Sequence, residues 1–183
     1  MQPGEIVFQG KVKEHDVMVR YPTMDDAQLL MDFINTVSLE HVSIRMQGEQ
    51  MTFEQEVQYV DNTLEKMKQG NEVKLLVFVA DELVATGDIT RGIMTGRHIG
   101  NFGIVVAQQF RGQGIGKKLM ELLFQTARTE LAGVTMITLE VFARNSIARR
   151  FYEHMDFVQY GVLPKGIQLS DGFDDALLMY RAL

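Results

Sequence analysis

The chain has 183 residues, 46% of them hydrophobic and 23% charged, with a net charge of −6 and no cysteine. These values suit one folded domain, 1–183, with room for a sizeable core, and they exclude disulfides, thiolate metal sites and a cysteine nucleophile. The acidic balance argues against a nucleic acid or a membrane surface as partner, and the sequence has neither a membrane-length apolar run nor a basic-then-apolar leader, so the cytoplasm is the expected compartment.

Residues 1–16 form an N-terminal extension of mixed character in which Ile6-Val7-Phe8 suits a short strand. Val17–Arg20 reads as a strand stopped before Pro22, and Thr23 caps a helix to about Val37, with Leu29, Leu30, Phe33, Ile34 and Val37 at helical spacing. Residues 38–50 are polar and irregular. Thr52 opens a second helix that Gly70 ends. Strands follow at 74–79, 83–90 and 97–106, joined by a tight turn at Asp81-Glu82 and a second connection at 91–96. A helix from the glycine turn to about Leu131, a strand at 135–141, a helix at 145–155 and strands at 157–163 and 174–181 complete the chain. The order β-α-α-β-β-β-α-β-α-β-β predicts a mixed α+β sheet with helices packed on it.

The segment Arg111-Gly112-Gln113-Gly114-Ile115-Gly116-Lys117 joins a strand to a helix through three glycines. Such a turn offers backbone N–H groups at a helix N-terminus, where the macrodipole favours an anion. A P-loop would need a glycine where Arg111 stands and Ser or Thr where Lys118 stands. A dinucleotide fingerprint would need glycine in place of Lys117 and a parallel βαβ setting. What remains is Arg-x-x-Gly-x-Gly, with a purely structural glycine turn as its competitor. The histidines at 15, 41, 98 and 154 include no i,i+4 pair, so no metal is expected.

Some way on comes Leu139-Glu140-Val141-Phe142-Ala143-Arg144-Asn145, followed by Ala148, Tyr152, Glu153 and Phe157. Together the two segments resemble the GNAT superfamily of acyl-CoA N-acetyltransferases over about residues 17–183. Two places depart from the family pattern. Ala148 sits one place off where many members carry Ala-Ile, and Asp156 replaces a glycine that commonly ends the helix in a left-handed conformation. The resemblance implies a mainly antiparallel, twisted sheet of about seven strands flanked by four helices. It implies acetyl-CoA as cosubstrate, with its diphosphate on Arg111, Gly112, Gln113, Gly114, Ile115, Gly116 and Lys117. The pantetheine arm would lie along Ile104, Val105 and Val106, and Asn145 would add a side-chain contact.

The resemblance further implies direct attack of a primary amine on the thioester, with Tyr152 as the acid for the departing thiolate. Glu140 alternates with Leu139 and Val141 and so leaves the other face of its strand. In one branch of the family a glutamate in this context is the proposed base, and elsewhere it is a structural ion-pair residue. An α-amine of pKa near 8 is about one-tenth neutral at pH 7, whereas a lysine-type amine needs roughly 4–5 kcal/mol to lose its proton. The closing segment resembles a branch that acts on amino acids and small amines. Glu40, His41, Arg45 and Glu49 lie where the family lines its acceptor site. A protein N-terminal or lysine acetyltransferase, a non-catalytic CoA-binding module and a homodimer are all compatible with the sequence.

Overall fold

The computed structural model describes residues 1–40 and 46–183. His41 and Arg45 lie outside the described residues. The described residues build one eight-stranded sheet with four α-helices, in the spatial order β1-β2-β3-β4-β5-β6-β8-β7. Strand β1 (Ile6–Val12) forms a hairpin with β2 (His15–Arg20). The sequence reading of about seven strands is thus one short, and the N-terminal extension is an ordered edge strand. Its Gln9, Gly10 and Lys11 break the apolar alternation because an edge strand tolerates polar positions. Phe8 anchors it beneath the Lys118 ammonium, 4.0 Å from the ring centroid.

Helix α1 (Ala27–Ser38) starts after a single 3-10 turn at Met24–Asp26, later than the expected start at Thr23. The reason is local. Thr23 and Asp26 form a capping box, and Asp26 accepts two hydrogen bonds from the Arg20 guanidinium at 2.6 and 2.7 Å, tying the turn to β2. Burial pushes the Asp26 carboxyl up, but these bonds and the Thr23 N–H outweigh it and hold the group below its usual value. Helix α2 (Phe53–Lys68) has a capping box of its own between Thr52 and Gln55.

Strands β3 (Glu72–Val79) and β4 (Glu82–Arg91) meet at Ala80-Asp81, both with positive φ, as a two-residue hairpin loop demands. They are followed by β5 (Ile99–Val106), α3 (Ile115–Glu130), β6 (Met136–Phe142), α4 (Ser146–His154), and the long hairpin of β7 (Val158–Leu169) and β8 (Gly172–Ala182). One sheet face packs on α3 and α4 through Leu75, Ile89, Leu119, Leu123 and Ile137. Alternate residues, including Leu76, Phe78 and Leu83, pack on α1 and α2. Neighbouring strands are antiparallel with one exception. β5 and β6 run parallel and pair only between Ile99–Asn101 and Met136–Thr138. Beyond that vertex the sheet splits.

Candidate active site

The split leaves one side of β5 without a partner strand. Ala107 N–H donates to Val84 O, and Gly92 N–H to Ile99 O, which fixes the β4–β5 ladder. Alternation then sends the peptide groups of Ile104 and Val106 away from β4 and into the split. Arg111 confirms the direction, since its Nε donates to Val106 O at 2.9 Å. Here β5, the glycine turn and α4 enclose a cleft of about 630 Å³.

The glycine turn builds the polar end of this cleft. Gly112 and Gly114 have φ of +72° and +88°, a region that side chains resist, and a Cβ at Gly112 would project into open space. Gly114 caps α3, whose first internal bond runs from Lys118 N to Gly114 O at 3.0 Å. The N–H groups ahead of it have no acceptor within the helix. Lys117 lines the cleft, 63% exposed and 4.0 Å from Glu121, while Lys118 turns to Phe8.

Three predicted residues of the turn use their side chains elsewhere. Ile115 is a core residue, and Gln113 bonds His15 of the hairpin, and neither lines the cleft. Arg111 lines the cleft, but its guanidinium is engaged by Val106 O and the Glu40 carboxylate. Glu40 also accepts from Gln108 N at 3.2 Å, so it faces the turn. The Glu49 carboxylate accepts from the backbone N–H of Gln47 within its own loop.

Helix α4 supplies the other wall. Asn145 caps it, accepting from Ala148 N at 3.0 Å, and lines the cleft. Tyr152 packs edge-on against Phe102, ring centroids 6.3 Å apart at 87°, and against Phe157 at 5.8 Å. Among the described residues its hydroxyl has no hydrogen-bond partner, and burial pushes the phenol up to about 12. Ile147 lines the cleft as well. It is 79% exposed at the cleft's lip, because the buried face of α4 runs through Ala148, Phe151, Tyr152 and Met155. Asp156 adopts φ +64°, taking the left-handed cap in place of glycine.

Glu140 is exposed on the opposite face of β6 from Leu139 and Val141. That face is marked at the vertex by Thr138 Oγ1 donating to Asn101 Oδ1 at 3.1 Å. Glu140 and Tyr152 therefore flank the split from its two sides. Sequence reasoning missed Lys13, whose Nζ donates to Gly112 O at 3.0 Å and lines the cleft. The alternation around Lys13-Glu14 was the available signal for that hairpin. Among the described residues no cluster of three or more metal-binding side chains occurs, and no helix is long and apolar enough to cross a membrane.

Comparison with known proteins agrees with this fold. The chain is 33% identical over 78 residues to the [ribosomal protein bS18]-alanine N-acetyltransferase of Shigella flexneri, covering 43% of this chain and 51% of that protein. The chain spans about half the length of the curated relatives it matches. Among solved structures, a GNAT-family acetyltransferase of Streptococcus pneumoniae superposes with a TM-score of 0.83 at 26% identity, covering 92% of this chain and 100% of that one. The Salmonella typhimurium protein yncA, solved with its cofactor acetyl-CoA, shares the fold with a TM-score of 0.78 at 15% identity, over 92% of this chain and 94% of its own. The family model described as Acetyltransferase (GNAT) family matches residues 41–157, and the chain belongs to that family.

Proposed function

We propose that the protein transfers an acetyl group from acetyl-CoA to a primary amine by direct attack. The observation that carries this reading is the convergence, in one cleft, of the glycine turn, the open peptide groups of β5 and the protonated phenol of Tyr152. Bound there, acetyl-CoA supplies the thioester. The N–H groups at the start of α3, with Lys13 and Lys117, would hold the diphosphate, and Ile104 and Val106 would pair with the amide arm as an added strand does. Asn145 would contact the arm from the other wall.

The remaining steps belong to the protein's own groups. A backbone N–H of β5 stabilises negative charge on the carbonyl oxygen, Tyr152 delivers a proton to the leaving sulfur, and Glu140 receives one from the amine. A module that only sensed CoA would have no use for an unpartnered phenol in the cleft. For the acceptor, the closing hairpin supports an amino acid or small amine, whereas the printed name of the Shigella relative supports a protein N-terminus.

The test is calorimetry with acetyl-CoA followed by thiol release with a metabolite-amine panel and a peptide panel. Micromolar binding and thiol release with at least one amine are expected. Absence of binding rejects the acetyl donor, and binding without turnover on either panel favours a sensing module.

A further inference from the structure

Gly103 sits in the middle of β5, where glycine weakens a strand by leaving nothing to pack. Nearby glycines have steric reasons for being there. A Cβ at Gly100 would stand 2.6 Å from Ile89 Cγ2, and one at Gly87 would stand 2.9 Å from Leu123 Cδ1. Among the described residues Gly103 has no such reason. Its φ lies outside the left-handed region, and a Cβ there would meet, of the described residues, the Asp88 carboxyl group at 3.7–4.0 Å, an ordinary contact. A mid-strand glycine that neither packing nor backbone conformation requires marks a place where a ligand approaches the chain.

The register shows what surrounds it. Lys74, Asp88 and Gly103 are successive cross-strand partners on β3, β4 and β5. Asn101 partners Thr138 across the vertex, so Glu140, two residues further along β6, occupies the same face just past the split. A glycine floor thus lies between two carboxylates. Asp88 is held from behind, because the fully buried Lys74 ammonium stands 3.7 Å from its Oδ1 and donates to Tyr59 Oη at 2.8 Å. The Asp88 side chain is still 29% exposed.

From this arrangement we infer that the floor at Gly103 seats the acceptor's ammonium group and that Asp88 is the positioning residue that binds it. The acceptor is then a primary amine with no carboxylate on the amine-bearing carbon. A free α-carboxylate would be brought against Asp88, and among the described residues the cation of this row, Lys74, is already committed to Asp88 and Tyr59. An amide or ester at that carbon carries no such charge. The inference rests on the acetyl-transfer reading for its reaction, but its binding chemistry is testable without turnover.

Nitrogen-labelled protein saturated with CoA is titrated with alaninamide and with alanine, following the Gly103 and Thr138 amide signals. Alaninamide is expected to bind at least tenfold more tightly than alanine, and Asp88→Asn to weaken it at least tenfold. Equal affinities, tighter alanine, no binding of either, or an unaffected Asp88→Asn protein overturns the assignment. Asp88→Asn also strips Lys74 of a counter-ion, so Gly103→Ala is the second variant. Its methyl group has room beside Asp88, and it too should cost at least tenfold in alaninamide affinity; no change again overturns the assignment. In turnover, a positioning role predicts a KM for the accepted amine raised at least tenfold by Asp88→Asn with kcat within threefold, and a fall in kcat alone contradicts it. Failure of acetyl-CoA to bind would remove the acetyl-transfer reading separately, leaving the titration to decide the ammonium seat.

Discussion

Burial raises the Tyr152 phenol to about 12, so it keeps its proton across the range in which an α-amine becomes neutral. That is the condition an acid must meet, and it costs nothing in cofactor binding. Tyr152→Phe keeps the ring contacts with Phe102 and Phe157 and removes only the proton. Turnover should fall by about 10²-fold or more, the usual range for a general acid, while calorimetry shows acetyl-CoA affinity within twofold of the parent. Undiminished turnover would assign the proton to another donor. Asp156 poses a different residue-scale question, because it holds φ at +64° where glycine would do so without strain. Its ion pair with Arg181 is long, 3.9 Å, and Asp156 is 88% exposed, so little is lost with it. Asp156→Gly should therefore raise stability in urea unfolding by about 0.5–1 kcal/mol. A loss of stability would show that the carboxylate matters more than the strain.

At the scale of elements, the β1–β2 hairpin ties the N-terminal residues to the glycine turn through Lys13, His15 and Phe8. If Lys13 shares the diphosphate with the α3 N-terminus, Lys13→Ala should weaken acetyl-CoA by roughly fivefold, or about 1 kcal/mol, in calorimetry at low salt. Melting temperature should be unchanged, since Lys13 makes an exposed contact. Unaltered affinity would place the diphosphate on the backbone and Lys117 alone. These elements also show what a sequence can carry. Apolar periodicity along α1 and α2 and the unbroken apolar run of β3 are local signals, and the glycine turn is local chemistry, so all were legible. Lys13 bonds a carbonyl 99 positions away, and Arg111 meets a carboxylate 71 positions away. No spacing rule links such pairs. Asp88 acquires its meaning only when the register sets it beside Gly103, and the first strand was legible only as Ile6-Val7-Phe8 and stayed outside the count of seven because edge strands lack a two-sided apolar signal.

For the molecule as a whole, the decisive feature is that one sheet is interrupted between the proposed cofactor site and the proposed amine site. β5 is paired to β4 from Gly100 to Val106 but to β6 only through Asn101, so its outer half is an interior edge. In the proposed reaction, cofactor groups reach that edge from the α3–α4 face, and an amine reaches it from the face of Asp88 and Glu140. This topology makes a residue-by-residue prediction for amide hydrogen exchange. In the free protein the N–H groups of Gly103 and Val105 lie in the β4 ladder and should exchange slowly, whereas those of Ile104 and Val106 face the split and should exchange faster. Saturating acetyl-CoA should slow Ile104 and Val106 by about tenfold or more, together with Gly114–Gly116, and leave Gly103 and Val105 nearly unchanged. Uniform slowing along β5 would instead mean general stiffening of the sheet. Slowing at the glycine turn alone would mean that the pantetheine arm does not pair with β5. The alternating pattern is specific to an added strand, because only such a ligand distinguishes successive peptide groups of one strand by the direction in which they point.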